Sequence, residues 1–321
     1  MPGLAKILLT RRFPEAVVAR ALRDYQVTLN ADDSLWQGDE LVHRARRMDG
    51  IFLSSSNKFT ADVIESLPEC VRILATFSVG HEHIDLDAAR HRGIVVTNTP
   101  DVLTGSTADL AMLLLLAAAR RAREALEMVC DGNWSGWTPT QLLGIQPAGR
   151  RLAILGMGRI GQAVAHRARA FGMKIHYHNR VRLHSEQEKG AVYHGSPEEL
   201  FQRADFLSIN CALTPQTAKL INRRTLSLFP DEAIIVNTAR GAIIDDEALI
   251  TALRSGRIAA VGLDVFDGEP NLHAGYRGLP NAFVTPHIGS ATVQARNAMG
   301  FRALDNLDAF FCGKSPVDKL T

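Results

Sequence analysis

The chain has 321 residues, 46% of them hydrophobic, and its 36 Lys and Arg nearly balance 34 Asp and Glu for a formal charge of +2. That length supports one large core or, as we expect, two domains with room for a cleft. The interspersed charge points away from nucleic acid and anionic membrane as partners. Four cysteines, Cys70, Cys130, Cys211 and Cys312, stand far apart without a CxxC pair. Neither a disulfide framework nor a zinc site is indicated, and a reducing cytoplasm is the expected compartment.

At the start, Met1-Pro2-Gly3-Leu4-Ala5-Lys6 runs straight into the strand-like Ile7-Leu8-Leu9, so no export signal is read. Apolar or β-branched runs over Lys6 to Leu9, Gly50 to Leu53, Ile73 to Phe77 and Ile94 to Thr97 alternate with helical stretches, which predicts a parallel sheet with covering helices. Pro14 is placed in the first turn of one of those helices and Thr60 as the cap of another. Beyond Asn98-Thr99-Pro100 a long helix is predicted over Ser106 to Arg121. Its apolar run, Leu110 to Ala119, is far short of the roughly 20 residues that span a bilayer, so it reads as buried. A loop rich in Gly, Trp and Pro follows over Gly132 to Pro139.

From Arg151 the alternation resumes. Strands are predicted over Leu152 to Leu155, Lys174 to Tyr177, Phe206 to Ile209, Ala233 to Val236, Ala260 to Leu263 and Phe283 to Thr285. Such a βα series is that of a complete dinucleotide-binding domain. The last segment, Ala291 to Phe311, has Ala295, Ala298, Met299, Leu304 and Leu307 at helical spacing and is expected to return to the first domain. The expected fold is α/β, with two Rossmann-like or flavodoxin-like domains built on parallel sheets and an active-site cleft between them. Residues 1–99 plus 288–321 form the first domain and residues 100–287 the second.

Gly156-x-Gly158-x-x-Gly161 lies between the strand Leu152 to Leu155 and a helical run through Ala163, Val164, Ala165 and Ala168. In this context the first glycine permits a tight turn, the second lets the backbone approach a pyrophosphate, and the third allows close packing of helix on strand. Gly156, Gly158, Arg159, Ile160 and Gly161 are therefore expected to hold a dinucleotide at a helix N-terminus. Where an NAD-binding domain usually carries an acidic residue for the ribose 2′-hydroxyl, the second strand ends Ile175-His176-Tyr177-His178-Asn179-Arg180. A guanidinium there accepts a 2′-phosphate that a carboxylate would repel. The expected cofactor is NADPH, with NADH weaker. Asn179 and Arg180 are placed at the phosphate, with Arg182 assisting.

Three further segments sit where the later strands end: Val236 to Gly241, Asp264 to Pro270 and Thr285 to Thr292. Together they supply a fixed cation, a carboxylate and an imidazole, which is what reducing a 2-oxo acid requires. With Ser78-Val79-Gly80-His81-Glu82-His83-Ile84-Asp85, the glycine turn, Asn237-Thr238-Ala239-Arg240-Gly241, Gly262 to Phe266 with Glu269-Pro270, and Pro286-His287-Ile288-Gly289-Ser290-Ala291-Thr292, the chain resembles the D-isomer-specific 2-hydroxyacid dehydrogenases. The glyoxylate/hydroxypyruvate reductases among them are the most similar in appearance.

The resemblance implies that the first domain binds substrate and that His287 protonates the carbonyl oxygen as hydride arrives. It implies that Glu269 fixes the imidazole, that Arg240 holds the substrate, and that the N–H groups of Val79 and Gly80 grip its carboxylate. Asp264 is expected near the nicotinamide carboxamide, with Thr238, Ala239 and Gly289 also lining the cofactor, and Trp137 is expected to reach the neighbouring active site of a homodimer.

Ser55, in the small polar run Leu53 to Asn57, is read as leaving room for a hydroxylated substrate. His81-x-His83 with Asp85 is read as the end of a strand, and no metal is expected. The reading is thus an NADPH-dependent reductase of glyoxylate, hydroxypyruvate and 2-ketogluconate giving D-2-hydroxy acids. Two alternatives stay open: an NAD-dependent dehydrogenase of D-lactate or D-3-phosphoglycerate, and a dinucleotide-sensing corepressor. The missing ribose carboxylate argues against the first, and the lack of disordered tails against the second.

Overall fold

Strands buried on both faces organise the chain. The computed structural model describes residues 4–321, and Met1, Pro2 and Gly3, part of the stretch read above for an export signal, lie outside the described residues. Two units emerge, one running to Leu103 and resuming over Ser290–Thr321, the other spanning Thr104–Gly289. The second division falls after Gly289, and not after residue 287, because the Gly289 N–H donates to Asp264 and its carbonyl accepts from Thr107.

In the first unit, β1 (Lys6–Leu9), α1 (Glu15–Asp24), β2 (Gln26–Leu29), α2 (Gly38–Arg44), β3 (Gly50–Leu53), α3 (Ala61–Ser66), β4 (Ile73–Thr76), α4 (Leu86–His91) and β5 (Val95–Thr97) follow in order. The sheet is parallel with strand order β2-β1-β3-β4-β5, a flavodoxin-like winding. Alternate residues feed opposite cores. Leu8, Ile51, Leu53 and Leu74 pack on one face, and Ile7, Leu9, Phe52 and Ile73 on the other. Each such side chain contributes about 1.5 to 3 kcal/mol on full burial.

Two local expectations are corrected, for Pro14 and for the His81–His83 pair, and a third, the Thr60 cap, holds. Pro14 stands before α1 as its N-cap, its carbonyl accepting from Val17 and Val18, and Thr60 caps α3 without a side-chain hydrogen bond. His81 and His83 lie in a turn and not in a strand, with His83 Nε2 2.9 Å from Thr76 Oγ1.

The second unit begins with α5 (Thr104–Ala119) and α6 (Ala122–Cys130). Its alternating part comprises β6 (Arg151–Leu155), α7 (Arg159–Ala170), β7 (Lys174–His178), α8 (Ser185–Glu188), β8 (Val192–Tyr193), α9 (Pro197–Phe201), β9 (Phe206–Ile209), α10 (Arg223–Leu226), β10 (Ile234–Asn237), α11 (Asp246–Arg254), β11 (Ala260–Leu263) and β12 (Ala282–Val284). The parallel sheet has the order β8-β7-β6-β9-β10-β11-β12. Counted from β6 this is the dinucleotide-binding order 3-2-1-4-5-6 with one strand added, so the direction of winding switches between β6 and β9. The chain end returns as α12 (Val293–Phe311), whose Ala303, Leu304 and Leu307 pack with Ile7, Leu9 and Phe52 in the first unit. Among the described residues no helix is long and apolar enough to cross a membrane.

Candidate active site

In open parallel sheets ligands bind beyond the carboxyl ends of the strands, at the switch point. The glycine turn leaves β6 there. Gly156 has φ +94°, and a Cβ on it would stand 2.6 Å from the Cys211 nitrogen. A Cβ on Gly161 would stand 2.2 Å from the Gly156 oxygen. The fold itself therefore requires both glycines. Gly158 is different, since a Cβ there meets nothing within 4 Å and its φ is an ordinary −75°.

Among the described residues no neighbour demands a glycine at 158, but a phosphate lying against the turn would. Gly158 also begins α7 with no side-chain cap, leaving N–H groups for an anion. Arg159 is exposed, whereas Ile160 packs against the core and so offers its backbone. Across the switch point, Asn210 follows β9 with its Oδ1 buried and without a partner, a polar atom that burial leaves in need of a donor. The residues present fit a dinucleotide, and the sequence did not single out Asn210 beside them. An Asn directly after a buried strand was the available signal.

The segment after β7 departs in part from expectation. Asn179 turns its Oδ1 to the Met157 N–H at 2.6 Å, bracing the glycine turn. Arg182 does not stand free for a phosphate, because its guanidinium is bidentate to Glu188 at 2.7 and 3.1 Å. Arg180 is exposed, and among the described residues no side chain engages it.

Neighbouring strands β10, β11 and β12 run in register, pairing Asn237 with Leu263 and Leu263 with Val284, so their loops leave one edge of the sheet. Fully buried Asn237 knits the first loop, its Oδ1 accepting from the Ala239 N–H and its Nδ2 donating to the Arg240 carbonyl, both at 2.9 Å. Close approach then joins loop to loop. A Cβ on Gly241 would lie 1.9 Å from the Phe266 carbonyl carbon, so only glycine lets the Arg240 segment lie against the second loop. In that second loop Glu269 Oε1 accepts from the Phe266 N–H at 2.8 Å, and Oε2 accepts from His287 Nδ1 at 2.7 Å. Burial pushes the Glu269 carboxyl up, but the His287 and Phe266 hydrogen bonds and the Arg240 charge outweigh it and hold the group below its ordinary value. Glu269 is thus an ionised acceptor that orients the ring. His287 Nε2 has no partner among the described residues and faces outward on a half-exposed ring.

His287 sits at φ +54°, an unfavourable conformation for a residue with a side chain. Asp264 holds it there. The Asp264 carbonyl accepts from the His287 N–H at 2.9 Å. Its fully buried carboxylate accepts from Thr285 Oγ1, Ile288 N–H and Gly289 N–H at 2.7 to 2.8 Å. Both Asp264 oxygens thus brace the loop that carries His287, with Oδ2 accepting from Gly289.

Gly289 is buried with N–H and carbonyl engaged, and Ala239 has its N–H on Asn237 and its carbonyl on Arg240, leaving only its methyl surface. Thr238, between Asn237 and Ala239 in the first loop, is half-buried.

In the first unit, Ser78 Oγ donates to the Gly80 carbonyl and Asn98 Nδ2 to the Val79 carbonyl, shaping a turn in which the Val79 and Gly80 N–H groups have no partner among the described residues. Adjacent free N–H groups of this kind form an anion-binding concavity. Ser55 is exposed at the tip of a turn whose Asn57 is buried, donating to the Trp36 carbonyl. Trp137 is 79% exposed in the loop after α6, near Trp134, Leu126 and Val129 in sequence, all of them exposed.

A glycine turn at the switch point, with arginine and a carboxylate-held histidine at the ends of three later strands, defines a dinucleotide-dependent oxidoreductase. Residues 112–289 match the family described as D-isomer specific 2-hydroxyacid dehydrogenase, NAD binding domain, and the chain belongs to that family. It is 44% identical to a glycerate dehydrogenase of Hyphomicrobium methylovorum over 310 residues, 96% of each chain. It is 42% identical to a glyoxylate reductase of Thermococcus litoralis over 316 residues, 97% of this chain and 95% of the relative. Among solved structures, the NADPH-dependent glyoxylate/hydroxypyruvate reductase of Sinorhizobium meliloti in complex with NADP and malonate superposes with a TM-score of 0.86 at 33% identity, covering 99% of this chain and 97% of that one. The chain is thus a 2-hydroxyacid dehydrogenase with two parallel-sheet α/β units and a nicotinamide dinucleotide-binding domain.

Proposed function

We propose that the protein reduces small 2-oxo acids, glyoxylate and hydroxypyruvate first and 2-ketogluconate as a larger relative, to D-2-hydroxy acids with NADPH. The observation that carries this reading is the His287–Glu269 pair at 2.7 Å, on loops that leave the same sheet edge as the loop of Arg240. The dihydronicotinamide, when bound, supplies the hydride that becomes the new C–H bond at C2. His287 gives its Nε2 proton to the carbonyl oxygen, converting it to hydroxyl, while Glu269 accepts from Nδ1 and fixes the orientation of the ring. Arg240 holds the carboxylate and polarises the carbonyl with its planar fork. The Val79 and Gly80 N–H pair is the first unit's carboxylate-binding element, and Ser55 leaves space for a substrate hydroxyl.

NADPH is favoured over NADH because no carboxylate follows β7 and Arg180 stands exposed. The relatives named for glycerate and glyoxylate support the substrate class, since oxidising glycerate at C2 gives hydroxypyruvate. The exposed apolar residues around Trp137 support a homodimer, with Trp137 directed to the neighbouring site.

The test is a steady-state panel of glyoxylate, hydroxypyruvate, 2-ketogluconate, pyruvate and 3-phosphohydroxypyruvate, each with NADPH and NADH. The highest kcat/KM is expected for hydroxypyruvate or glyoxylate with NADPH. A preference for NADH with pyruvate or 3-phosphohydroxypyruvate would replace this reading by the D-lactate or D-3-phosphoglycerate one.

A further inference from the structure

The short segment between β7 and α8 is tied down at both ends and bare in the middle. At its start, Asn179 is fixed through Met157, and its carbonyl lies 3.4 Å from the Tyr193 hydroxyl. Toward its end, the Arg182 guanidinium is bidentate to Glu188 and stacks 5.7 Å from the Tyr193 ring centre. Tyr177, wholly buried on β7, donates to Glu188 Oε1 at 2.6 Å and accepts the Leu183 N–H at 3.1 Å. Glu188 is itself buried, its side chain 9% exposed. The Arg182 and Tyr177 hydrogen bonds hold its carboxyl down to about 2, so it stays ionised at any working pH. Between these anchors only Arg180 and Val181 are exposed.

We propose that Tyr177, Glu188 and Arg182 form a positioning clamp that sets cofactor preference by fixing the segment on which Arg180 alone presents its cation to the 2′-phosphate. The proposal rests on the NADPH reading of Arg180 and adds what that reading lacks, a reason why the second arginine does not bind. Arg182 is consumed in the support. A segment fixed beforehand loses less freedom when the phosphate binds, so the clamp favours NADPH and is neutral toward NADH, which lacks that phosphate.

Dissociation constants for NADPH and NADH, measured by calorimetry on the purified full chain, test the clamp together with kcat at saturating NADPH. Arg180→Ala is expected to weaken NADPH roughly tenfold and NADH less than about twofold. Glu188→Gln and Tyr177→Phe are expected to weaken NADPH by about three- to tenfold, with NADH and kcat within about twofold. Tyr177→Phe keeps the ring in the core and so remains informative if Glu188→Gln folds poorly. In the Arg180→Ala background, Glu188→Gln is expected to add nothing, because the clamp acts through Arg180.

An Arg180→Ala variant that binds NADPH normally would overturn the NADPH reading itself. An effective Arg180→Ala with clamp variants that leave NADPH untouched, weaken both cofactors equally, or add fully to Arg180→Ala would overturn the clamp alone. So would an Arg182→Ala variant that loses more NADPH affinity than Arg180→Ala, since Arg182 would then be the phosphate ligand.

Discussion

The loops beyond β10, β11 and β12 and the segment beyond β7 are held in different ways. The three catalytic loops hang from fully buried polar side chains, Asn237 and Asp264, whose hydrogen bonds go to the backbone of the very residues they position. The β7 segment is held by an ion pair whose arginine is 63% exposed. On the proposed reading, chemistry rests on loops braced wholly from within and cofactor choice on a segment whose buried Tyr177 and Glu188 reach out to an exposed arginine. Preference can therefore change without disturbing the proton-donating pair, whereas a change in the core reaches the reaction directly.

That contrast is open to attack at four sites. The largest effect is expected from Arg240→Gln, which removes the cation that holds and polarises the substrate. We expect kcat/KM to fall about 10³-fold while the NADPH dissociation constant stays within about twofold. A loss shared equally by the two quantities would mean that Arg240 serves the cofactor site instead. Glu269→Gln should lower kcat about 10²-fold, because a neutral amide no longer gives Nδ1 a charged acceptor that fixes the ring.

Its pH dependence has a definite sign. The Glu269 carboxyl is held below its ordinary value in the folded protein, so its stabilisation is present above the usual glutamate range near about 4.5 and is lost as pH falls through the folded value. Thermal melts of the wild type should drop faster than those of Glu269→Gln below about pH 4.5. Parallel curves would remove the ion pair from the account.

Asp264→Asn places an amide donor against three buried donors and should cost about 1 to 3 kcal/mol, read as a fall in Tm, with kcat reduced as the His287 loop loosens. An unchanged Tm would show that the brace is dispensable. The smallest effect belongs to His176 on β7, whose Nδ1 lies 2.9 Å from His194 Nε2. Burial first, then the charges of its neighbours, depresses its pKa, and burial likewise depresses that of His194. Both rings are neutral in the fold, so stability is full above the ordinary imidazole value near about 6.5 and declines as pH falls below it. His176→Asn should make Tm less sensitive to pH between about 7.5 and 5.5. An equal slope would place the acid sensitivity elsewhere.

Most of the sheet was legible because a strand buried on both faces shows as a continuous apolar run, as in Leu152 to Leu155 and Phe206 to Ile209. Strands β2 and β8 lie at sheet edges with part of their side chains exposed, and so left no such run. At the site, residue types at strand ends announced the chemistry, since few reactions need an arginine, a glutamate and a histidine at the ends of three adjacent strands. What sequence did not disclose is which polar group already has a partner. Asp264, Asn179, Arg182 and Gly289 all have the chemistry of ligand-binding residues, and each is turned toward a neighbour in the chain. Such pairings depend on contacts between loops that come together only in the folded sheet.

The central claim, that His287 protonates a 2-oxo acid while others hold the cofactor, is tested most directly by His287→Ala, with hydroxypyruvate turnover at saturating NADPH and the NADPH dissociation constant measured on the same preparation. A fall in kcat of about 10² to 10⁴ is expected, with the dissociation constant within about twofold. Turnover at the wild-type rate, or a collapse of NADPH binding in place of turnover, would contradict it.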